Sequence, residues 1–560
     1  LNHSRWQMPP CLPAEQLAGT GLPPLMTQLL YNRGITDPTQ IDSFLTADEN
    51  LLNDPFLLPD MEKAVARISD ALLSGERIAI YGDFDADGMT ATAVLTEGLS
   101  SLGGQAIPYI PHRIEEGYGL NHAALKRLRK EGVSLVVTVD CGISNAPEVA
   151  TAQSMGLDIV VTDHHTVPPQ MPQAIAVVDP KRADSRYPFP KLAGVGVAFK
   201  LLQALFTSWG KDGNMDTFLD LVALGTVADM EPLLGENRYL VKQGLDVLQN
   251  TNRLGLREIA KCAGVTLSAV DPQVISWVLG PRLNASGRLE HAIVGYEILV
   301  TDSIEEAQRL ASVLERNNEK RQRLTEVALA KAREKLIAKG TDSPILMLSD
   351  KDFPSGVVGV IAGRLAEEFY RPVIVLEQGK EWSKGSARSI PEFDIVAALT
   401  DCSNLLSRFG GHPMAAGCTV ATENLEQLHE CLLGIAANKL SSLDLRPMIA
   451  IDAEIPLSSL DGKTFQTMQN LAPFGYANPY PTFISRGIQV VKHHNVGNNG
   501  KHLKLKLREG DATWDGIAFR LGNLADEITP QLDIVYNLEV DQWAGGNTLQ
   551  LKILDFTPAA

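Results

Sequence analysis

Arg77-Ile78-Ala79-Ile80-Tyr81-Gly82-Asp83-Phe84-Asp85-Ala86-Asp87-Gly88 is the stretch whose reading decides the fold. An apolar run ends in a glycine, and three carboxylates follow within five residues. Apolar runs without polar alternation fit parallel strands buried on both faces. The pattern recurs at Ala106–Ile110, Ser134–Val139, Asp158–Val161 and Ala174–Val178, with amphipathic stretches between the runs. This rhythm predicts a doubly wound α/β domain over residues 71–302. Sites in open parallel sheets form outside the carboxyl ends of the strands. There the chain carries Asp83-Phe84-Asp85-Ala86-Asp87, Asp140-Cys141-Gly142, Asp163-His164-His165 and Val178-Asp179-Pro180.

Four further segments flank this domain. Residues 1–70 read as a helical lead-in, with Met26, Leu29 and Leu30, then Ala64, Ile68 and Leu72, at helical spacing. Residues 303–338 contain no Pro or Gly, which predicts a connecting helix over 303–340 with Leu310, Leu314, Leu324, Val327 and Ala328 on one face. Such a helix spans ~54 Å, enough to link two domains. A second α/β domain over 341–445 restarts with Ile345–Leu348 and Val373–Leu376. From 446 to 560 the pattern is alternating strands with Gly, Asn and Pro turns and no convincing helix, which predicts a small OB-like β-barrel.

The 560 residues are 44% apolar, 21% charged and 6% aromatic, an ordinary globular composition. At ~100–200 residues per domain the length accommodates about three to five domains. No apolar run approaches the ~18 residues of a membrane helix, and the start lacks the basic-then-apolar layout of a signal peptide. Six cysteines without a C-x-x-C pair predict neither a disulfide framework nor a zinc knuckle, and fit a reducing cytoplasm. A net charge of -17 argues against whole-surface binding of nucleic acid but leaves room for a local basic groove.

Three carboxylates at one strand end repel one another unless a cation is present. Carboxylates and imidazoles without a Cys cluster suit Mn²⁺ or Mg²⁺ better than structural zinc. An Asp bridging two ions would make a two-metal hydrolytic site. The bland alternatives differ in strength. A lone Asp at a strand end is usually a turn former or helix cap, which is the reading for Asp179 by itself. A calcium loop over Asp83–Gly88 requires Glu at the place of Val94 and fails.

Asp85-Ala86-Asp87-Gly88, Asp140, Asp163-His164-His165, and Asp229 within Leu224–Met230 resemble the ordered motifs of the DHH phosphoesterases. The wider set is similar to the bacterial single-strand-specific exonuclease branch of that superfamily. It comprises Tyr109–Arg113 with Gly117-Tyr118-Gly119, Gly280–Arg288, Gly385–Ser389 and Gly410–Gly417, so the resemblance runs from about residue 20 to the end. It implies a DHH catalytic domain, a DHH-associated second domain, and two Mn²⁺ or Mg²⁺ ions held by Asp83, Asp85, Asp87, Asp140, His164 and Asp229. Asp140 would bridge the ions, and His165 would face the scissile phosphate. Arg113 and Tyr118 would lie near the 5′ end of the substrate. Further phosphate contacts would come from Arg282, Asn284 and Arg288 in an expected loop, from Ser386 and Arg388, and from a Gly410-Gly411-His412 turn. Two departures stand out: Phe353-Pro354 where the family usually has Trp-His, and Ala477 where Gly is usual.

In His502-Leu503-Lys504-Leu505-Lys506-Leu507-Arg508 polar and apolar residues alternate, so a strand puts Lys504, Lys506 and Arg508 on one face and the leucines inside. With aromatics such as Trp514 or Phe519, that face would track a single strand and stack its bases. The resemblance implies a metal-dependent 5′-to-3′ exonuclease of single-stranded DNA acting in repair and recombination. Its expected partners are a single-strand-binding protein and a helicase, with no membrane. A phosphodiesterase for short oligoribonucleotides or cyclic dinucleotides leaves the β-rich region after 450 unexplained. A non-catalytic replication scaffold is disfavoured because every expected metal position is filled, and family II pyrophosphatase because the first motif begins with Asp83, not His.

Overall fold

In the computed structural model, which describes residues 3–10, 12, 13, 21–211, 215–541 and 548–559, the apolar run at 77 is the strand Arg77–Tyr81. It lies second in a five-stranded, all-parallel sheet of order Gln105–Tyr109, Arg77–Tyr81, Val133–Thr138, Asp158–Thr162, Ala176–Val178. Successive residues point to opposite faces. Ile78, Ile80, Leu135 and Val137 enter one core with the helix Ala86–Ser101. Ala79, Tyr81, Val133 and Val136 enter another with the helix His122–Lys130. Cores on both sides are why the strands show no polar alternation.

The chain divides into two compact units, one of His3–Glu315 with Met448–Ala560 and one of Arg316–Pro447. In the first, the helices Gly194–Ser208, Leu219–Ala228 and Gly235–Gln249 follow the parallel sheet. The barrel strands run in the order Ala453–Glu454, Phe483–Val496, His502–Glu509, Ala512–Ala518, Leu549–Pro558, Gln531–Val540. Phe483–Val496 also pairs with Gln531–Val540, which closes the barrel. In the second unit a mixed five-stranded sheet, Leu406–His412, Ala415–Ala421, Trp382–Arg388, Val373–Glu377, Leu346–Asp350, packs with the helices Val358–Phe369, Ile395–Asp401 and Leu425–Leu440. Phe353, standing where Trp-His is usual, is fully buried there.

Several details differ from expectation. The lead-in is not purely helical: Arg5–Gln7 is a strand paired with Met448–Ala450, and the helix Met61–Leu73 crosses the 70/71 boundary. Its helices Pro24–Asn32 and Pro38–Thr46 bury Met26, Leu29, Leu30, Ile41 and Phe44 in the barrel core, so this segment buttresses the C-terminal domain. The barrel region does contain a helix, Gly462–Gln469, capped by Asp461. The connecting helix is one element, Ile304–Lys339, but Val327 is 72% exposed. Leu310, Ala311 and Leu314 pack at one end and Ala328, Leu329, Ala332 and Leu336 at the other, each group in a different core, so no single stripe runs its length. Cys402 and Cys431 form a disulfide, while Cys141, Cys262 and Cys418 are free and Cys11 lies outside the described residues. No described helix is long and apolar enough to cross a membrane.

Candidate metal centre and active site

The strand Arg77–Tyr81 folds back over the helix it feeds. A Cβ on Gly88 would lie 2.6 Å from the Asp83 nitrogen, so only glycine permits this approach. Asp85 caps the helix Ala86–Ser101, accepting from the Asp87 and Gly88 amides at 3.0 and 3.1 Å. Asp87, in the first turn, accepts from Gly194 and Val195, the first amides of another helix, at 2.7 and 2.8 Å. Asp140 follows the central strand Val133–Thr138 in the left-handed region at φ 59°, uncommon for a residue other than glycine. A Cβ on Gly194 would stand 2.5 Å from the Asp140 Cβ, so Gly194 is what lets the two approach. Asp229 ends the helix Leu219–Ala228.

These elements converge on His164. Its Nε2 is 3.1 Å from Asp140 Oδ1, 3.7 Å from Asp229 Oδ2 and 3.8 Å from Asp87 Oδ2. Ligand atoms of Asp83, Asp85 and Asp140 lie within 4.8 Å of one another, as do those of Asp87, His164 and Asp229, and those of Asp140, His164 and His165. Asp140 therefore stands between two ligand sets. Asp83 Oδ1, Asp140 Oδ1 and both His164 ring nitrogens are buried without a hydrogen-bond partner; the close approach of His164 Nε2 to Asp140 lacks hydrogen-bond geometry. Orphaned polar atoms are costly, and a convergent set of carboxylate and imidazole atoms is what a divalent cation satisfies. Burial first, and neighbouring carboxylates second, push Asp83 and Asp140 well above the usual carboxylate range. The same causes raise Asp229. Asp87 is pushed up to about 6, mainly by burial. Burial works against a charged His164, but Asp140 and Glu231 outweigh it and raise its pKa. Glu231 Oε1, 3.3 Å from His164 Nδ1, carried no motif signal beyond lying two residues after Asp229.

Asp163 is a holder, not a member of these sets. Its Oδ1 accepts from the His164 and His165 amides and lies 2.8 Å from His165 Nδ1; its Oδ2 accepts from the Ile143 amide. Burial favours the neutral acid, yet the bond to His165 and the charges of both histidines hold Asp163 below the usual range. A carboxylate only accepts, so Nδ1 carries a proton toward Asp163. Tyr118, expected against a sugar or base, places its hydroxyl 3.1 Å from His165 Nδ1 and donates to the Asp140 carbonyl at 3.3 Å. Arg113 stacks over Phe84 at 4.6 Å, and Phe84 meets Tyr118 edge-on.

The segment expected as a loop at 280–288 is the helix Gly280–Leu289, preceded by the π-helix Ile275–Leu279. Pro281 follows directly on the π turn of a helix that is continuous from Pro272, and that widened turn accommodates its missing N–H. Asn284 Oδ1 accepts from the Ala86 amide at 2.7 Å, so in this structure it steadies the Asp85–Asp87 turn. Arg282, expected as a phosphate grip, spends its fork on Glu315 at 2.6 and 3.1 Å and on the Val278 carbonyl. Arg288 lies in the last turn of the helix.

In the second unit Arg388 Nη1 donates to Ser386 Oγ and to the Ala387 carbonyl. Gly359 backs both side chains, with room for a Cβ only 3.1 Å from each. Gly410, Gly411 and His412 do not form a turn: they end the strand Leu406–His412, exposed, and the chain reverses at Pro413-Met414. His412 is thus not a core histidine. Gly411, at φ 145°, is required because its Cβ would meet the Ala415 carbonyl at 2.3 Å.

On the barrel, Leu503, Leu505 and Leu507 are buried, and the intervening Lys504, Lys506 and Arg508 are not. Lys506 lies opposite Lys492 and Lys504 opposite His494. A like-charge pair directly opposite is unfavourable by itself, and this ribbon is broader than the single strand suggested. Trp514 is not available for stacking, since its indole donates to the Leu457 carbonyl and packs on the barrel core. Phe519 is exposed.

Family models match three parts of the chain: "DHH family, N-terminal domain" over residues 77–226, "DHHA1 domain" over 342–450 and "RecJ OB domain" over 451–555. The single-stranded-DNA-specific exonuclease RecJ of Bacillus subtilis is 37% identical over 95% of this chain and 68% of its own length. The protein of that name from Dickeya dadantii is 34% identical over 97% and 98%. The crystal structure of Thermus thermophilus RecJ in complex with Mn²⁺ superposes with a TM-score of 0.85 at 31% identity, covering 99% of this chain and 80% of that one. Identity of that order over nearly the whole chain marks kinship and not fold alone, and the chain belongs to the RecJ family.

Proposed function

We propose that this chain is a Mn²⁺- or Mg²⁺-dependent exonuclease that hydrolyses single-stranded DNA from its 5′ end, in DNA repair and recombination. The observation that carries the reading is the convergence of Asp83, Asp140 and His164, with orphaned buried atoms, beside a histidine oriented by Asp163. The names of the relatives add the substrate, and polarity follows from the motif resemblance. Asp83, Asp85 and Asp140 would hold one ion and Asp87, His164 and Asp229 the second, with Asp140 shared. Two ions so held would neutralise the scissile phosphate and lower the pKa of the attacking water. As the P–O3′ bond breaks, the imidazolium form of His165 would give its Nε2 proton to the departing oxygen, while Asp163 accepts from Nδ1–H and steadies that form. Arg113, Arg288, Ser386, Arg388 and the exposed strand end Gly410–His412 would contact the phosphate backbone. Lys504 and Lys506, joined by Lys492, would extend that contact along the barrel. By analogy a helicase and a single-strand-binding protein would present the strand, in the cytoplasm.

The test is a digest of 5′- and 3′-labelled single- and double-stranded DNA. Mononucleotide released from the 5′ end of single strands with Mn²⁺, and none with EDTA, is expected. Release from the 3′ end, or equal cutting of duplex, would contradict the proposal.

A further inference from the structure

The five residues from Met230 to Leu234 link the helix Leu219–Ala228, capped by Asp229, to the helix Gly235–Gln249. Met230 turns the chain at φ 60° and is exposed, and Glu231 reaches His164. The Asp229 and Glu231 amides bond back to the Gly225 and Thr226 carbonyls of the preceding helix, and the far end of the link is fixed by the foot of the barrel. The Leu233 amide donates to the Tyr476 carbonyl at 2.9 Å. Leu233 packs in the core of the catalytic domain, and its neighbour Leu234 packs against the core of the barrel. A Cβ on Gly475 would stand 2.6 Å from Leu233 Cδ1.

Two fully buried side chains, Arg238 and Asn478, hold the barrel's side of this contact. Arg238, fully buried, donates to the carbonyls of Leu471 at 2.9 Å, Ala472 at 2.7 Å and Phe44 at 2.7 Å. Asn478, also fully buried, donates to the Leu471 and Pro473 carbonyls, both at 2.8 Å. Its Oδ1 accepts from Arg33 at 2.8 Å. Ala477 occupies the left-handed region at φ 61°, which accounts for glycine being usual there. Backbone carbonyls gripped in this way cannot shift without leaving buried groups unpaired. From the catalytic side, Asn237 ties the Pro232 carbonyl at 3.1 Å, so the link is clamped at both ends.

We infer that the turn Leu471–Pro479 at the foot of the barrel, gripped by Arg238 and Asn478, positions Asp229 and Glu231 and so sets the affinity of the metal centre. The C-terminal domain then shapes the chemistry as well as holding the strand. Arg238, Asn478 and Gly475 are positioning residues: none is a metal ligand. The inference rests on the two-ion reading proposed above.

The test measures Mn²⁺ uptake by the full chain, from the loss of the free-ion electron paramagnetic resonance signal, with turnover of a trinucleotide. Gly475→Ala, Asn478→Ala and Arg238→Lys, each confirmed as folded by circular dichroism, are compared with wild type. A direct support of a metal ligand is worth ~10- to 100-fold in metal affinity, and these residues act one step further out, so each variant should bind at least one Mn²⁺ more weakly by up to about 10-fold. Their kcat on the trinucleotide should fall while KM stays unchanged. Leu233→Val in the Gly475→Ala background removes the atom that the new Cβ strikes and should recover most of the affinity, which a general loss of stability would not allow. Folded variants with wild-type Mn²⁺ affinity would overturn the inference and leave the metal site standing. A wild-type chain that takes up no Mn²⁺ would overturn the metal site itself.

Discussion

Asp163 Oδ1 lies 2.8 Å from His165 Nδ1, and the same oxygen accepts the amides of His164 and His165. One carboxylate thus fixes both the backbone that presents the two histidines and the tautomer of the second. Asp163→Asn keeps the size and, with its amide oxygen in the place of Oδ1, still accepts the two amides, but removes the negative charge that steadies the imidazolium form of His165. General acid catalysis is worth ~10²- to 10⁴-fold, so kcat should fall by about that factor while Mn²⁺ binding changes little. An unchanged kcat in the folded variant would remove His165 from the reaction.

Burial raises Asp83, Asp140 and Asp229, and lifts Asp87 from 3.8 to about 6. Between the unfolded and folded pKa values the folded chain binds more protons, so stability falls as pH rises through that window. The raised pKa of His164 acts in the same direction. In metal-stripped protein these groups should therefore contribute less to stability as pH rises from about 4 through 6 and beyond, with Asp163, held low, acting the other way. Mn²⁺ replaces the lost protons, so the increase in Tm on adding it should grow with pH. A metal-induced increase that is constant across that range would contradict the assignment of these carboxylates as ligands.

Lys504 and Lys506 share a barrel face with Lys492 and His494 across the ladder. Reversing both lysines to Glu should weaken binding of long single strands and flatten its salt dependence, by ~0.7 in log–log slope for each phosphate no longer neutralised. Trinucleotide turnover should be far less affected. Equal losses on short and long substrates would mean that this ribbon does not carry the strand.

What could be read from sequence is what folds locally. The apolar runs at Arg77–Tyr81 and Val133–Thr138 and the acidic strand ends are contiguous, so pattern and chemistry appear together. The leucine–lysine alternation at 502–508 foretold its buried and open faces. What could not be read is what a distant partner decides. Asn284 meets Ala86 across 198 residues and Arg282 finds Glu315, pairings that no local pattern encodes. Gly280-Pro281 reads as a loop because these residues usually mark turns, and here they follow a π turn within a continuous helix. Val327 fell off the stripe because the two ends of its helix face different cores. The N-terminal helices belong to a barrel whose strands begin more than 400 residues later.

Asp140 lies between the set formed with Asp83 and Asp85 and the set around His164. The most direct measurement is the Mn²⁺ stoichiometry of wild type and of Asp140→Ala at saturating ion, with turnover followed in the same samples. The account predicts two ions bound by the wild type, at most one by the folded variant, and no detectable turnover by the variant. Two ions retained by Asp140→Ala with near-normal turnover would contradict it.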